Sequence, residues 1–195
     1  MERRKSDIER RRRRRKRRIQ VIVIYTAIAV GLAWFFELQA TTTVIFVRHA
    51  EKATMPTDDP GLSEAGKMRA VELARQLSEA DVVAGIDAIY STSYRRTEET
   101  VQPVATALGL PITSYDASNT ETIMDEIVRQ HKGKIVLVVG HSNTVPALIG
   151  NMGASKNVPE IDEGEYDNLY LVSIPWFGKT KTIRLRYGAP YVPLQ

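Results

Sequence analysis

Apolar and polar positions fall into two regimes along this chain. From Ile19 to Phe36 only Gln20, Tyr25 and Thr26 interrupt an apolar run, and no charge appears until Glu37. At about 1.5 Å per residue, roughly 18 to 20 residues cross a bilayer core of about 30 Å, so this pattern predicts a transmembrane helix over residues 19–37. A short linker, 38–41, comes next. Beyond it, short apolar runs alternate with amphipathic stretches. Thr42 to Val47 reads as a strand, and Leu62 to Ala80 as a helix with Ala70, Leu73, Ala74 and Leu77 on one face and Ser63 suited to its N-cap. Ile86 to Tyr90 reads as a second strand, Tyr94 to Leu108 as a helix, Pro111 to Tyr115 as a third strand, and Thr120 to Gln130 as a helix with Ile123 and Ile127 inward. Ile135 to Val139 is apolar throughout, as expected of a parallel strand buried on both faces. A helix begins near Asn143, a polar loop runs from Ser155 to Asp167, and Leu169 to Ile174 with Thr180 to Tyr187 form a hairpin. In the hairpin's second strand, Ile183, Leu185 and Tyr187 alternate with Thr182, Arg184 and Arg186. The pattern predicts one doubly wound α/β domain over residues 42–195: a mostly parallel sheet, helices on both faces, and the hairpin at its end.

Charge sharpens this division. The net charge of +4 conceals twelve Lys/Arg against three Asp/Glu in residues 1–18, a balance of +9, while fifteen basic and twenty acidic residues elsewhere leave −5. A basic tail directly before an apolar run is a topology signal. It keeps the N-terminus in the cytoplasm and exports the chain beyond Glu37, making a single-pass inner-membrane protein whose domain is extracytoplasmic, or periplasmic in a Gram-negative cell. A cleaved signal peptide is the alternative, with Leu38-Gln39-Ala40 as the cleavage-like stretch. The basic run also suits a nucleic-acid arm, but its position beside an apolar segment favours membrane topology, and the mildly acidic domain offers nucleic acid no general surface. The chain has no cysteine, which excludes a disulfide scaffold and a thiolate metal site.

Two of the apolar strands end on histidine, Val47-Arg48-His49 and Val139-Gly140-His141, in a chain with three histidines. Ligands of open α/β sheets bind outside the carboxyl ends of the strands, so both imidazoles are candidates for one site. A neutral imidazole is a competent nucleophile toward phosphorus, and the phosphohistidine it forms is readily attacked by water. The charge on a transferring phosphoryl group requires fixed donors. Arg48 lies beside His49, and the stretch from Tyr90 to Thr100 supplies Arg95 and Arg96 at the start of a helix. A guanidinium binds phosphate oxygens bidentately and stays charged. His141 is a candidate imidazolium donor, and backbone N–H groups near Ser142 and Asn143 favour an anion. Arginine neighbours repel a cation and no ligand spacing appears, so neither a metal nor another cofactor is expected. His131, at a helix end before Gly133, reads as an ordinary C-terminal-turn residue.

Val47-Arg48-His49-Ala50-Glu51-Lys52 resembles the signature of the histidine phosphatase superfamily, which has the phosphoglycerate mutase-like fold. Leu62-Ser63-Glu64-Ala65-Gly66, Ser91 through Thr100, and Gly140-His141-Ser142 occur in the family's order. The shortest relatives include bacterial protein phosphohistidine phosphatases. The resemblance implies that His49 is the phosphorylated nucleophile and that Arg48, Arg96 and His141 complete the phosphate pocket. Arg96 is favoured over Arg95 because the family keeps a threonine four residues after its arginine, where Thr100 stands. Ala50 replaces the glycine that often comes after the nucleophile. The leaving-group proton donor is left open between Asp116, the nearest by position in the fold, and Glu51, the nearest in sequence to His49. Glu163, Glu165 and Asp167 read as a solvated loop, with the cleft rim as the alternative.

Three functions fit these residues. A phosphatase would hydrolyse phosphomonoesters or phosphoramidates through phospho-His49. A mutase needs a lid over the phosphohistidine, for which the roughly 40 residues between Thr100 and His141 leave little material. A membrane-tethered module would bind a phosphorylated ligand without turnover. The short linker also holds the domain against the membrane while the site lies at the far end of the first strand, which favours soluble phosphate compounds over lipid headgroups.

Overall fold

The computed structural model describes residues 2–38, 41–79, 85–154 and 157–193. Residues 39 and 40 of the expected linker, with the cleavage-like Gln39 and Ala40, lie outside the described residues. So do Ala80 at the end of the expected helix and Ser155 at the head of the polar loop. The chain divides into two units, Met1–Gln39 and Ala40–Gln195.

The first unit is one helix, α1 (Glu2–Leu38), running without a break through the basic and the apolar stretches. Arg and Lys are good helix formers, so the change of character at residue 18 does not interrupt the backbone. The part from Arg10 to Phe36 is long and apolar enough to cross a membrane, and its side chains are exposed.

The second unit runs β1 (Thr41–Arg48), α2 (Glu64–Glu79), β2 (Ala88–Thr92), α3 (Arg95–Leu108), β3 (Ile112–Tyr115), α4 (Thr120–Gln130), β4 (Ile135–Gly140), α5 (Thr144–Asn151), β5 (Asn168–Pro175) and β6 (Lys181–Arg186). The strands form one six-stranded sheet in the order β3-β2-β4-β1-β5-β6. β1 to β4 are mutually parallel, and β5 and β6 are antiparallel additions. Side chains alternate between faces. Ile45, Val47, Leu137 and Val139 pack against Leu73 of α2 and Val101 and Val104 of α3. Val44, Phe46, Val136 and Val138 pack against Met124 and Ile127 of α4 and Val145 and Leu148 of α5. The helices leaving the neighbouring strands β1 and β4 therefore depart to opposite faces. That divergence opens a crevice beyond the carboxyl ends of these two strands.

Two expectations are corrected, the bounds of β2 and the exposure of Glu165 and Asp167. β2 starts at Ala88 rather than Ile86 and extends through the buried Ser91 and Thr92. Asp87 takes the Ile135 amide on its carboxylate at the strand's start, and Ser91 and Thr92 are tolerated inside the sheet because both hydroxyls are hydrogen-bonded. Glu165 and Asp167 are buried rather than solvated, because Arg186 Nη1 pairs with both, at 2.6 and 2.5 Å. Ile183 and Leu185, on the apolar face of β6, are largely exposed because β6 is the sheet edge. Ser63, as expected, caps α2: its Oγ accepts the Gly66 amide at 3.1 Å.

Candidate active site

Register brings the two histidines together. Arg48 pairs with Gly140 at the ends of β1 and β4, and the His49 amide donates to the Gly140 carbonyl at 2.9 Å, so His49 and His141 leave adjacent strands side by side. Their ring centroids are 5.3 Å apart, edge to face. Both rings sit in a cleft of about 1040 Å³ whose walls include Arg48, Arg96, Tyr94, Asn143, Asp116 and Glu163. Lys52, Thr92 and Ser142 also line it.

Protonation at His49 is set by its partners. Nδ1 lies 2.8 Å from the Ala50 carbonyl, which only accepts, so Nδ1 carries the proton and Nε2 keeps its lone pair. Burial, with the positive charges of Arg48 and Arg96, lowers its pKa to about 3. At neutral pH His49 is thus a neutral, singly oriented nucleophile.

A similar chain fixes His141. Thr97 Oγ1 donates to the Tyr94 carbonyl at 2.6 Å, so Thr92 Oγ1 donates to Thr97 at 2.8 Å and has a lone pair left for His141 Nε2–H at 3.1 Å. Arg96 Nη2 lies 3.5 Å from His141 Nδ1, the acceptor nitrogen of this tautomer. Burial, then Arg96 and Arg48, push His141 down to about 4. The expected imidazolium is therefore a neutral imidazole with Nε2–H as its donor.

The arginines are held by aromatic rings. Arg48 Cζ lies 4.2 Å from the Tyr166 ring centroid and Arg96 Cζ 4.3 Å from that of Tyr94. The same tyrosines stand near the imidazoles, Tyr166 5.9 Å from His49 and Tyr94 5.2 Å from His141. Arg48 Nη1 also donates to the carbonyls of Asp162 and Glu165 at 2.7 and 3.1 Å. Asp59 reaches the start of α3, accepting the Arg95 amide at 3.2 Å and lying 3.9 Å from Arg96 Nη1. Nε of each arginine is buried without a hydrogen-bond partner among the described residues. Cationic donors with unused hydrogen-bonding capacity beside a nucleophile suit a tetrahedral oxyanion.

The remaining expected residues separate. Ser142 and Asn143 line the cleft ahead of α5. Glu51 does not line it: its carboxylate takes Arg69 in a forked pair, Nε at 3.0 Å and Nη2 at 2.8 Å, beneath the C-terminal segment that Arg69 also holds through the carbonyls of Tyr187 and Ala189. Asp116 reaches the cleft but is exposed, and the Ser118 amide and hydroxyl, at 2.9 and 2.8 Å, hold its pKa below the usual value. Glu163 lines the cleft wall beside Arg48, in the loop whose flanking carbonyls bind that arginine. Arg95 is outside the cleft, paired with Glu99 at 3.1 Å. Sequence reasoning missed Thr92, Tyr94, Tyr166 and Asp59. Tyr94 and Thr92 lie within the quoted motif, but nothing in the residue pattern marks Tyr166 or Asp59.

Residues 44–119 match the family model of the histidine phosphatase superfamily (branch 1). Among solved structures, the chain is similar to the protein histidine phosphatase SixA complexed with tungstate, at 18% identity over 74% of this chain and 96% of that one, with a TM-score of 0.60. It is similar to a putative phosphohistidine phosphatase SixA from Agrobacterium tumefaciens at 24% identity, over 76% and 99% of the two chains, with a TM-score of 0.56. A mycobacterial glucosyl-3-phosphoglycerate phosphatase shows 14% identity over 76% and 99%, with a TM-score of 0.58. No curated protein matches the chain.

Proposed function

We propose that this chain, whose residues 44–119 match the family model of the histidine phosphatase superfamily, hydrolyses phosphomonoesters or phosphoramidates by way of a phosphohistidine on His49. The observation that carries this reading is His49 itself: a neutral ring with Nδ1 committed to Ala50, Nε2 left to attack, and two arginines and a second imidazole around it. Nε2 attacks phosphorus as the bond to the leaving group breaks, with Arg48 and Arg96 holding the equatorial oxygens and His141 joining them once the bound phosphate dianion favours a proton on its Nδ1. Water then attacks the phosphorus, and the P–N bond breaks to return the neutral imidazole. A cleft of about 1040 Å³ leads to His49, which supports access of water to an intermediate that a mutase has to shield.

The leaving group needs a proton. Glu51 is bound to Arg69 away from the cleft, and of the two carboxylates that line the cleft Asp116 is tied to Ser118 while Glu163 stands beside Arg48. We assign Glu163 as the acid that protonates the leaving group and then, as carboxylate, takes the proton of the attacking water.

Helix α1 is assigned as a membrane anchor, its basic end cytoplasmic and the catalytic unit exported. The full chain in lipid vesicles, given 32P-acetyl phosphate, is expected to acquire an acid-labile, base-stable label on His49 and to release phosphate continuously. His49→Ala should do neither. Phosphate binding without label or release on any ester would favour the binding-module reading instead.

A further inference from the structure

The β5–β6 hairpin has a tip the proposed chemistry does not use, Trp176-Phe177-Gly178-Lys179-Thr180. Trp176 is 67% exposed and Phe177 90%, whereas the large apolar side chains of the sheet centre are buried. Gly178, with φ +119, supplies at this tip a backbone conformation that other residues rarely adopt. Lys179 and Lys181 are exposed beside them. Bulky aromatic rings flanked by lysines are suited to the headgroup layer of a bilayer, where the rings enter the acyl boundary and the ammonium groups meet lipid phosphates.

Sheet register says which end of the catalytic unit carries this tip. Thr41, where the chain enters the sheet, is the register partner of Pro175, the residue before Trp176. Leu38, three residues before Thr41, ends the helix that is apolar enough to cross a membrane. Three residues span at most about 11 Å. The catalytic histidine lies at the other end of β1, beyond the Val47–Leu169 pair, roughly 26 Å from Thr41 at about 3.3 Å per residue.

We propose that Trp176 and Phe177 insert into the lipid surface as a second membrane contact, which turns the catalytic cleft away from the bilayer toward soluble phosphate compounds. The proposal rests on the reading of α1 as an anchor, and its two parts are separable because the chain has two tryptophans, Trp34 in α1 and Trp176 in the tip. The full chain is reconstituted in vesicles of anionic and zwitterionic lipid with brominated acyl chains, as Trp34→Phe and as Trp176→Phe. In Trp34→Phe, the remaining indole is expected to emit at a blue-shifted wavelength and to be quenched by bromolipid, and adding Phe177→Ser should weaken that quenching several-fold. Hydrolysis of a soluble ester should be unchanged in all three variants. If Trp176 is quenched by aqueous iodide and not by bromolipid while Trp34 is quenched by bromolipid, the anchor stands and the insertion is refuted. Shielding of Trp176 from both quenchers would point to a second copy over the tip and also refute it. If neither indole senses bromolipid, the anchor reading itself fails.

Discussion

Thr100 Oγ1 accepts the Ala50 amide at 2.9 Å and donates to the Arg96 carbonyl at 2.6 Å. One buried hydroxyl thus joins the residue after the nucleophile to the helical turn that holds the second arginine. Ala50 also supplies the carbonyl that fixes the His49 tautomer, so the position of Arg96 relative to His49 Nε2 passes through this contact. Neither bond involves the glycine-specific region of backbone space, and no described non-glycine residue has positive φ. This explains how alanine is accommodated after the nucleophile.

Thr100→Val removes the acceptor and leaves the Ala50 amide buried and unpaired. A loss of about 1–3 kcal/mol is expected in denaturant unfolding. Because the defect displaces Arg96 relative to His49, kcat should fall more than KM rises. Thr100→Ser should restore both, and an unchanged kcat in a destabilised Thr100→Val would reduce the residue to a packing role.

The two arginines differ from their neighbour Arg95 in a measurable way. Arg96→Lys retains charge but loses the planar fork stacked on Tyr94, and a fall in kcat/KM on the order of 100-fold is expected. Arg48→Lys should behave alike, having lost its stacking on Tyr166. Arg95→Lys, altering only an exposed pair with Glu99, should change kcat/KM less than twofold. Steady-state kinetics on one soluble ester decides among them, and equal losses at 95 and 96 would overturn the assignment.

Carboxylate roles can be separated by leaving group. With Glu163 as the acid, Glu163→Gln should slow alkyl phosphates by about 100-fold and barely affect nitrophenyl phosphate, whose leaving group needs no proton. Asp116→Asn should leave that ratio alone. Glu51→Gln should also leave it alone but should cost on the order of 2 kcal/mol of stability, because it strips the charge partner from the buried Arg69. Gly66→Ala should destabilise as well, since an added Cβ would lie 2.2 Å from the Glu51 carbonyl. A leaving-group effect confined to Asp116→Asn would move the acid to the opposite wall.

Legibility from residues alone was set by local chemistry. The apolar run Ile135–Val139 and the helical face of Leu73 and Ala74 carry their own periodicity, so the strands, helices and layer order could be read from the chain. His49 and His141 were legible as a pair because each ends such a strand. Tyr166 was not, because its place beneath Arg48 depends on the path of a loop whose backbone is fixed by tertiary contacts, notably the carbonyls of Asp162 and Glu165 on Arg48. Glu165 and Asp167 resembled a solvated stretch for the same reason. Their burial depends on Arg186, about twenty residues later on another strand, and no local pattern encodes that pairing.

Acid should weaken this fold in a way traceable to the site histidines. Burial beside two arginines lowers His49 to about 3 and His141 to about 4, against 6.5 for an ordinary imidazole. As pH falls below about 6.5 the unfolded chain takes up two protons that the folded chain refuses, and each such histidine removes up to about 1.4 kcal/mol of stability per pH unit until its folded pKa is reached. Unfolding free energies measured between pH 7.5 and 4.5 should therefore decline, and the decline should be shallower in a His49→Gln, His141→Gln double variant. Comparing the two chains cancels the contributions of His131 and the carboxylates, which both share. Bound inorganic phosphate stabilises the protonated rings, so it should flatten the wild-type curve and leave the double variant's slope unaltered. Because the nucleophile stays neutral well below the usual imidazole range, labelling of His49 should persist at pH 5, where an unperturbed imidazole is mostly protonated. Loss of labelling with a midpoint near 6.5 would mean that the ring is not held in its buried, arginine-flanked setting.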